Sequence, residues 1–422
     1  MKPLITKTFK YRLEPTKEQE KTLDWTLGEC WKLNKILLKE KITAYKKKQK
    51  QPSQFNQVNS LTKIKEQNPQ LKQIFSQILQ NIPKQRVPAI WKNFQQRKKI
   101  NPKAGLPQSK PLHRYHSFTY PQHGFKLEKG QLILSRGQGY PKLRINIRLH
   151  TQLKNGKKEG RPLPNKIETC SIFLKNKKWY VCFTDKVEVQ QLPKTGKKVG
   201  VDMGLDVFCA TSDEEKHEIK QFYRKQQEQL TKLARKLSQK KHKRNEEDKT
   251  KPSQRYLKIK SKLSKLYEKI ANQRTDNAYK LVNYFLGNYD LIMVEKLEIK
   301  KMIECRGKYQ NLPKSINDAG WKLFLSFLAW KAVIVGKQVV EVNPKNTSKR
   351  CFGCGKVKKD LELKDRIFVC VCGYEADRDI NAAKNILWKA QATEQELSSI
   401  DENMTSVSSL EPQRGSPHPQ TR

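Results

Sequence analysis

The chain has 422 residues, with 87 Lys+Arg against 41 Asp+Glu and a formal charge of +46. A surplus this large most often faces a polyanion; nucleic acid is the first candidate and an anionic membrane surface the competitor. The charge is spread along the whole chain and no basic amphipathic anchor stands out, which favours nucleic acid. The length is that of two to four domains, and a hydrophobic fraction of 36% is enough for small cores.

Residues 4–13, LITKTFKYRL, read as a strand. No signal-peptide apolar run opens the chain, and no stretch of about 18 apolar residues occurs. Thr16 followed by Glu18 and Glu20 marks a helix start, and Leu23, Leu27, Trp31, Leu37 and Leu38 predict one long apolar-faced helix. Prolines at 52, 69, 83 and 88 are expected to divide the rest of the segment up to residue 102 into short helices. From about 103 the period falls to two. LRINIRL (143–149) alternates, and residues 168–189 read as a hairpin with its turn near Asn176. Several short strands with polar turns suggest a small barrel; its basic face either meets a phosphate backbone or is simply solvated.

Residues 194–211, KTGKKVGVDMGLDVFCAT, form another strand–turn–strand. Two helical stripes come next, Leu230/Leu233/Ala234/Leu237 and Ile259/Leu263/Leu266/Ile270, predicting an antiparallel hairpin with a basic tip at 238–253. YDLIMVEKL (289–297) reads as a buried strand, 315–336 as one buried helix, 337–342 as a strand and 380–390 as a final helix. Residues 391–422 carry five acids and two arginines, few apolar residues and many Ser, Gln and Pro, and are expected to be disordered.

Nine cysteines show no disulfide framework, which suits a reducing cytosol. Cys30, Cys170, Cys182, Cys209 and Cys305 read as small buried hydrophobes. Cys351 and Cys354 form a C-x-x-C half-site, and Cys370 and Cys372 a C-x-C half-site one residue short of the usual zinc spacing. Four thiolates would saturate a zinc ion, so the site reads as structural; reduced thiols packing a hairpin are the alternative.

Three acids stand where chains turn. Asp202 ends an apolar strand, Glu295 closes another, and Asp379, two residues after Asp377, precedes the last helix. Singly they read as a turn residue, a strand end and a helix N-cap. Together they have the layout by which an RNase H-like sheet gathers carboxylates at one edge, costly unless divalent cations occupy the cluster. Two Mg²⁺ ions there would support phosphodiester hydrolysis. No Ser/His/Asp set, Walker loop or Rossmann glycine pattern competes.

GVDMGLD, VEKL, SINDAGW and CxxCG…CxCGYEADRDINAAKNI together resemble the TnpB (OrfB) family of insertion sequences, transposon relatives of type V CRISPR effectors, over nearly the whole chain up to about residue 390. The resemblance implies an α/β multidomain protein. An RNase H-like RuvC nuclease (193–346 and 373–390, with a helical hairpin at 216–287) carries an inserted zinc ribbon (347–372). An OB-like wedge β-barrel (1–15 and 103–192) and a helical recognition domain (16–102) complete it. It implies an RNA-guided, Mg²⁺-dependent DNA endonuclease, cytoplasmic and nucleoid-associated in a prokaryote. The partners would be a guide RNA from the transposon end and a double-stranded DNA target beside a short motif. Asp202, Glu295 and Asp379 match the nuclease acids, with Asp377 a supporting residue or helix cap. Cys351, Cys354, Cys370 and Cys372 match the zinc ligands, and Thr119 and Gln80 the readers of the target-adjacent motif. A zinc-ribbon regulator without catalysis and a strand-joining transposase are the rival readings.

Overall fold

The computed structural model describes residues 4–149, 151–154, 157–160, 163–164, 166–188, 191–240, 253–304, 311–362 and 365–391. Cys305, most of the basic tip and nearly all of the acidic tail lie outside them. Two compact units result, residues 1–188 and 189–422. Among the described residues no helix is long and apolar enough to cross a membrane.

In the first unit, strand β1 (Leu4–Glu14) is followed by helices α1 (Lys17–Lys46), α2 (Gln54–Gln67), α3 (Ser76–Asn81) and α4 (Val87–Ile100). Thr16 and Gln19 form a reciprocal capping box on α1, satisfying backbone donors that the first turn leaves open. Pro52 precedes the α2 cap Ser53, and Pro69 opens a short 3-10 turn. Pro83 and Pro88 do not divide the chain as expected. A π-turn at Ile82–Arg86 joins α3 to α4, because widening the helix accommodates the missing proline N–H.

Strands β2 (Ser117–Tyr120), β3 (Phe125–Glu128), β4 (Gln131–Leu134), β5 (Leu143–Arg148), β8 (Ile167–Lys175) and β9 (Lys178–Glu188) join β1 in a seven-stranded antiparallel sheet ordered β2-β8-β9-β1-β5-β4-β3. A separate two-stranded ribbon, β6 (Thr151–Lys154) and β7 (Lys157–Gly160), lies between β5 and β8 in the chain. The β8–β9 turn falls at Asn176 and Lys177, both at positive φ, as a two-residue hairpin requires. On β5, Ile145 and Ile147 are buried and Arg144 and Arg148 exposed, the expected alternation. Tyr11, Ile145, Ile172 and Phe183 share one continuous core with Leu23, Leu33 and Leu37 of α1, so sheet and helices are held by the same apolar contacts.

The second unit is built on a five-stranded sheet ordered β12-β11-β10-β13-β14, from β10 (Lys198–Met203), β11 (Val207–Thr211), β12 (Lys216–Glu218), β13 (Leu291–Glu295) and β14 (Gln338–Val342). The first three strands are antiparallel; β10, β13 and β14 run parallel. Helices cover both faces, which is why β13 reads as an unbroken apolar run. One face, with Val199, Val201, Ile292 and Val294, packs on α6 (Gln254–Asn288) and α9 (Trp321–Val335). The other, with Leu291 and Met293, packs on the last helix, α10 (residues 378–391), through Ile386 and Ala390. Helix α5 (Gln227–Gln239) pairs with α6 through Leu230, Leu266 and Ile270, the expected hairpin.

The single helix expected over 315–336 is two. Helix α8 (Leu312–Ala319), which comes after the short α7 (Ile299–Glu304), ends at Gly320, whose φ of 78° stops it, and α9 starts afresh. Asp318, buried at the end of α8, accepts from the backbone N–H of Tyr223 and Arg224 and pairs with Arg274 at 2.8 Å. Strands β15 (Ile367–Val369) and β16 (Glu375–Asp377) form the hairpin that leads into α10.

Candidate active site and metal centre

The four cysteines expected to hold zinc converge. Their sulfurs all lie within 4.8 Å of one another, with 3.7 Å between Cys351 and Cys372 and 3.6 Å between Cys354 and Cys370. Ligands about 2.3 Å from one tetrahedral ion stand about 3.8 Å apart, so the cage has the size zinc requires. The short C-x-C half fits because it occupies the β15–β16 turn. There Gly373 (φ 85°) bends the chain, and the N–H of Cys370 donates to the carbonyl of Tyr374. Burial pushes the Cys351 thiol up to about 12, while the backbone N–H of Cys372 leads the effects that draw Cys370 down to about 7.

Two asparagines that residue-type reasoning passed over attach this cage to α10. Asn381 donates to the carbonyl of Arg350 and accepts from the N–H of Phe352, gripping the first knuckle at both polarities. Asn385 donates to the carbonyls of Thr347, Arg350 and Asn381 at 2.7–3.0 Å. Both side chains are fully buried. Their spacing of four, one face of a helix, was the available signal.

The acids gather on the α10 face of the sheet. Val201 pairs with Val294 across the parallel ladder, so Asp202 and Glu295 occupy the next rung at the C-terminal ends of their strands. Side chains alternate along a strand, which puts Asp202 on the same side as Gly200, and Glu295 with Met293. Gly200 is where α10 rests. A Cβ there would lie 2.1 Å from the carbonyl oxygen of Ala383 and 2.7 Å from the N of Leu387, both helix backbone. Only glycine lets the helix come this close.

Helix α10 begins at 378, earlier than expected, and the cap role falls to Asp377, one of the two roles the resemblance implied for it. The Asp377 carboxylate accepts from the N–H of Asp379 and of Ile380 and bonds Lys216 at 2.6 Å, so Asp377 is the cap. Asp379 lies in the first turn with its carboxyl released from capping. Lys384 pairs with Glu214 at 2.7 Å, and Arg366 pairs with Asp206; both further tie this region to the β10–β12 edge.

The electrostatics agree with this grouping. Burial, then the charges of Glu295 and Asp379, hold the Asp202 carboxyl well above the usual carboxylate range. Burial raises Glu295, against a hydrogen bond from the Thr347 hydroxyl and the nearby Lys389. Burial and the neighbouring Asp377 raise Asp379. Among the described residues only the cysteines meet within 4.8 Å; the three acids interact by charge but are more widely set.

The remaining two predicted residues lie in the first unit, where α3 packs against β2. Gln80 of α3 is half-buried. Thr119 of β2 is half-buried too, its hydroxyl 2.8 Å from that of Ser171.

Family models match three segments: a "Helix-turn-helix domain" over 1–50, the OrfB "Probable transposase" over 180–306, and a "Cas12f1-like, TNB domain" over 321–386. The first of these segments folds here as a strand and one 30-residue helix. The chain is 27% identical over 91% of its length, and 89% of the relative's, to a Streptomyces pristinaespiralis protein named "Putative RNA-guided DNA endonuclease". It is 28% identical over 70% of both chains to "Putative RNA-guided DNA endonuclease InsQ" of Escherichia coli. It is 31% identical over 49% of its length, and 40% of the relative's, to "TnpB-like protein L79" of Acanthamoeba polyphaga mimivirus. With the acid cluster, the four-cysteine cage and these matches in one chain, the protein is similar to members of the TnpB (OrfB) family.

Proposed function

We propose that the chain is an RNA-guided DNA endonuclease of a transposable element, hydrolysing target DNA at a RuvC-type site formed by Asp202, Glu295 and Asp379. The observation that carries this is the grouping of those three carboxyls on one sheet face, each displaced upward in its protonation range. Buried acids at such cost are retained where they do chemistry or hold cations. The strand order, with three antiparallel strands and then two parallel ones, supports an RNase H-like assignment.

Asp202, Glu295 and Asp379 would hold Mg²⁺. When bound, such ions activate the attacking water and stabilise the leaving oxygen of a phosphodiester. The chain's own residues set the geometry. Thr347 donates to Glu295 and fixes its rotamer. Asp377, anchored by Lys216, closes the first turn of α10 so that Asp379 is presented from a fixed backbone. Gly200 sets the distance between helix and strand. Cys351, Cys354, Cys370 and Cys372 would hold Zn²⁺ with no open position, as a brace for the chain entering α10. The surplus of +46 suits backbone contacts to a guide RNA from the transposon end and to the target duplex, base pairing supplying sequence choice. Thr119 and Gln80, on packed elements, would read the target-adjacent motif.

The test is guided cleavage by Asp202→Asn. Loss of cutting with RNA binding kept is expected; equal cutting by variant and parent would overturn the assignment and favour a regulator without catalysis.

A further inference from the structure

Helix α10 delivers the chain into a groove of about 550 Å³. Trp388, Lys389 and Ala390 of its last turn line one side, and the end of β14 with Lys345 and Arg350 lines the other. β14 is the edge strand of its sheet, so among the described residues no further strand closes that side. Neither Lys345 nor Arg350 forms an ion pair among the described residues, and Glu341 is the carboxylate in the lining. Trp388 is 41% exposed, with the Arg350 guanidinium 3.7 Å from its ring centroid. An exposed indole beside unneutralised cations suits an occupant that is acidic and apolar at once.

The chain carries such an occupant next door. Residues 390–413 contain no Lys or Arg, the longest such run in the sequence, and five acids. Glu394 and Glu396 come first, followed by Leu397 and Ile400. In a protein of +46 such a stretch is drawn to the chain's own cations. Glu394 stands three residues beyond Gln391, the last described, a span of at most about 10 Å. A tether this short presents its segment at an effective concentration of about millimolar, so two exposed ion pairs and one apolar contact suffice to hold it.

We propose that residues 394–402 dock in this groove of their own chain, with the carboxylates of Glu394 and Glu396 on Lys345 and Arg350 and Leu397 against the exposed part of Trp388. The contact is autoinhibitory. Glu295 is the ladder partner of Val342, one strand away, so a polyanion approaching the acids past β14 must first displace the segment. Only this consequence rests on the nuclease reading; the contact itself does not.

Trp388 and Trp330 have nearly equal exposure in the described residues, 41% and 46%, and Trp330 lies on α9, across the sheet. Hydroxyl-radical footprinting of the full chain, freed of nucleic acid, reads the groove against that internal reference. Trp388 is expected to oxidise roughly tenfold more slowly than Trp330, as occupancy of about nine-tenths requires. Glu394→Gln with Glu396→Gln in the full chain is expected to bring the two rates within about twofold, and so is about 1 M salt, which cuts the screening length to about 3 Å. Carbodiimide coupling in a mixture of isotopically light and heavy chains is expected to join Glu394 or Glu396 to Lys345 within one chain. Equal oxidation of the two tryptophans in the parent, protection of Trp330 instead, or protection that survives the glutamine pair overturns the proposal. Light–heavy couplings overturn it too, since they put a second copy's segment in the groove. At low salt the glutamine pair is expected to cut guided targets about 2- to 30-fold faster, the range of two exposed ion pairs. Loss of protection without acceleration overturns the autoinhibitory role. If neither chain cuts, the nuclease reading falls and the footprint alone decides the contact.

Discussion

Gly200→Ala is the sharpest perturbation of the site that leaves every acid in place. The added methyl would stand 2.1 Å from the Ala383 carbonyl oxygen and 2.7 Å from the Leu387 nitrogen. Real Cβ contacts do not fall below about 3.0 Å, and both atoms belong to helix backbone, so α10 must back away by roughly 1 Å. Overpacking of this kind costs about 1–3 kcal/mol. The larger effect is on chemistry. Asp379 rides on the first turn of the displaced helix while Asp202 stays on the strand, and a 1 Å misplacement in a catalytic group costs about 100-fold in rate. The assay is guided cleavage under single-turnover conditions, paired with a thermal melt and a zinc assay. Expected are a fall of about 100-fold in rate, a lower Tm and zinc still bound. Gly28→Ala is the control, because nothing lies within 4 Å of a methyl placed there and helix propensity favours alanine by about 1 kcal/mol. Cleavage by Gly200→Ala within threefold of the parent, with the fold intact, would refute the claim that seating of α10 sets the acid geometry.

Asn385→Ala should cost about 2–4 kcal/mol, since it leaves buried carbonyls of Thr347, Arg350 and Asn381 short of a donor; a melt and a protease-nicking pattern centred on 347–351 check this. Cys372→Ser should release zinc, read by mass spectrometry of the metal, and lower guided cleavage, which places the C-x-C half-site among the ligands; full zinc occupancy would remove it. Asp202→Asn should raise the Tm of chelator-treated protein while abolishing cleavage, because it removes a charge that burial and two neighbouring carboxylates disfavour; a lower Tm would contradict the electrostatic account. Thr347→Val should slow cutting about tenfold with RNA binding unchanged, as Glu295 loses its donor.

The site was legible where a residue type has few other uses. Asp202 and Glu295 interrupt apolar strands, and four cysteines crowd into 22 positions, so both features are visible without structure. Residue type alone did not separate Asp377 from Asp379, because either can cap a helix and the choice depends on a start shifted by two residues; only the motif resemblance told them apart. Gly320 was hidden inside a run hydrophobic enough for one helix; its left-handed φ is a backbone fact that composition does not carry. Pro83 misled in the opposite sense, since a π-turn absorbs what normally breaks a helix. Asn381 and Asn385 look like solvent-facing polar residues, and their meaning comes from carbonyls more than 30 positions upstream in the chain. The Arg350–Trp388 stack is equally non-local.

The most direct measurement is anomalous diffraction from crystals of the full chain equilibrated with Mn²⁺, an Mg²⁺ surrogate whose position can be read without a substrate. The account predicts manganese peaks bounded by the carboxylates of Asp202, Glu295 and Asp379, lost in Asp202→Asn. Ordered side chains there with no peak at saturating Mn²⁺, or peaks only at other carboxylates, would contradict it.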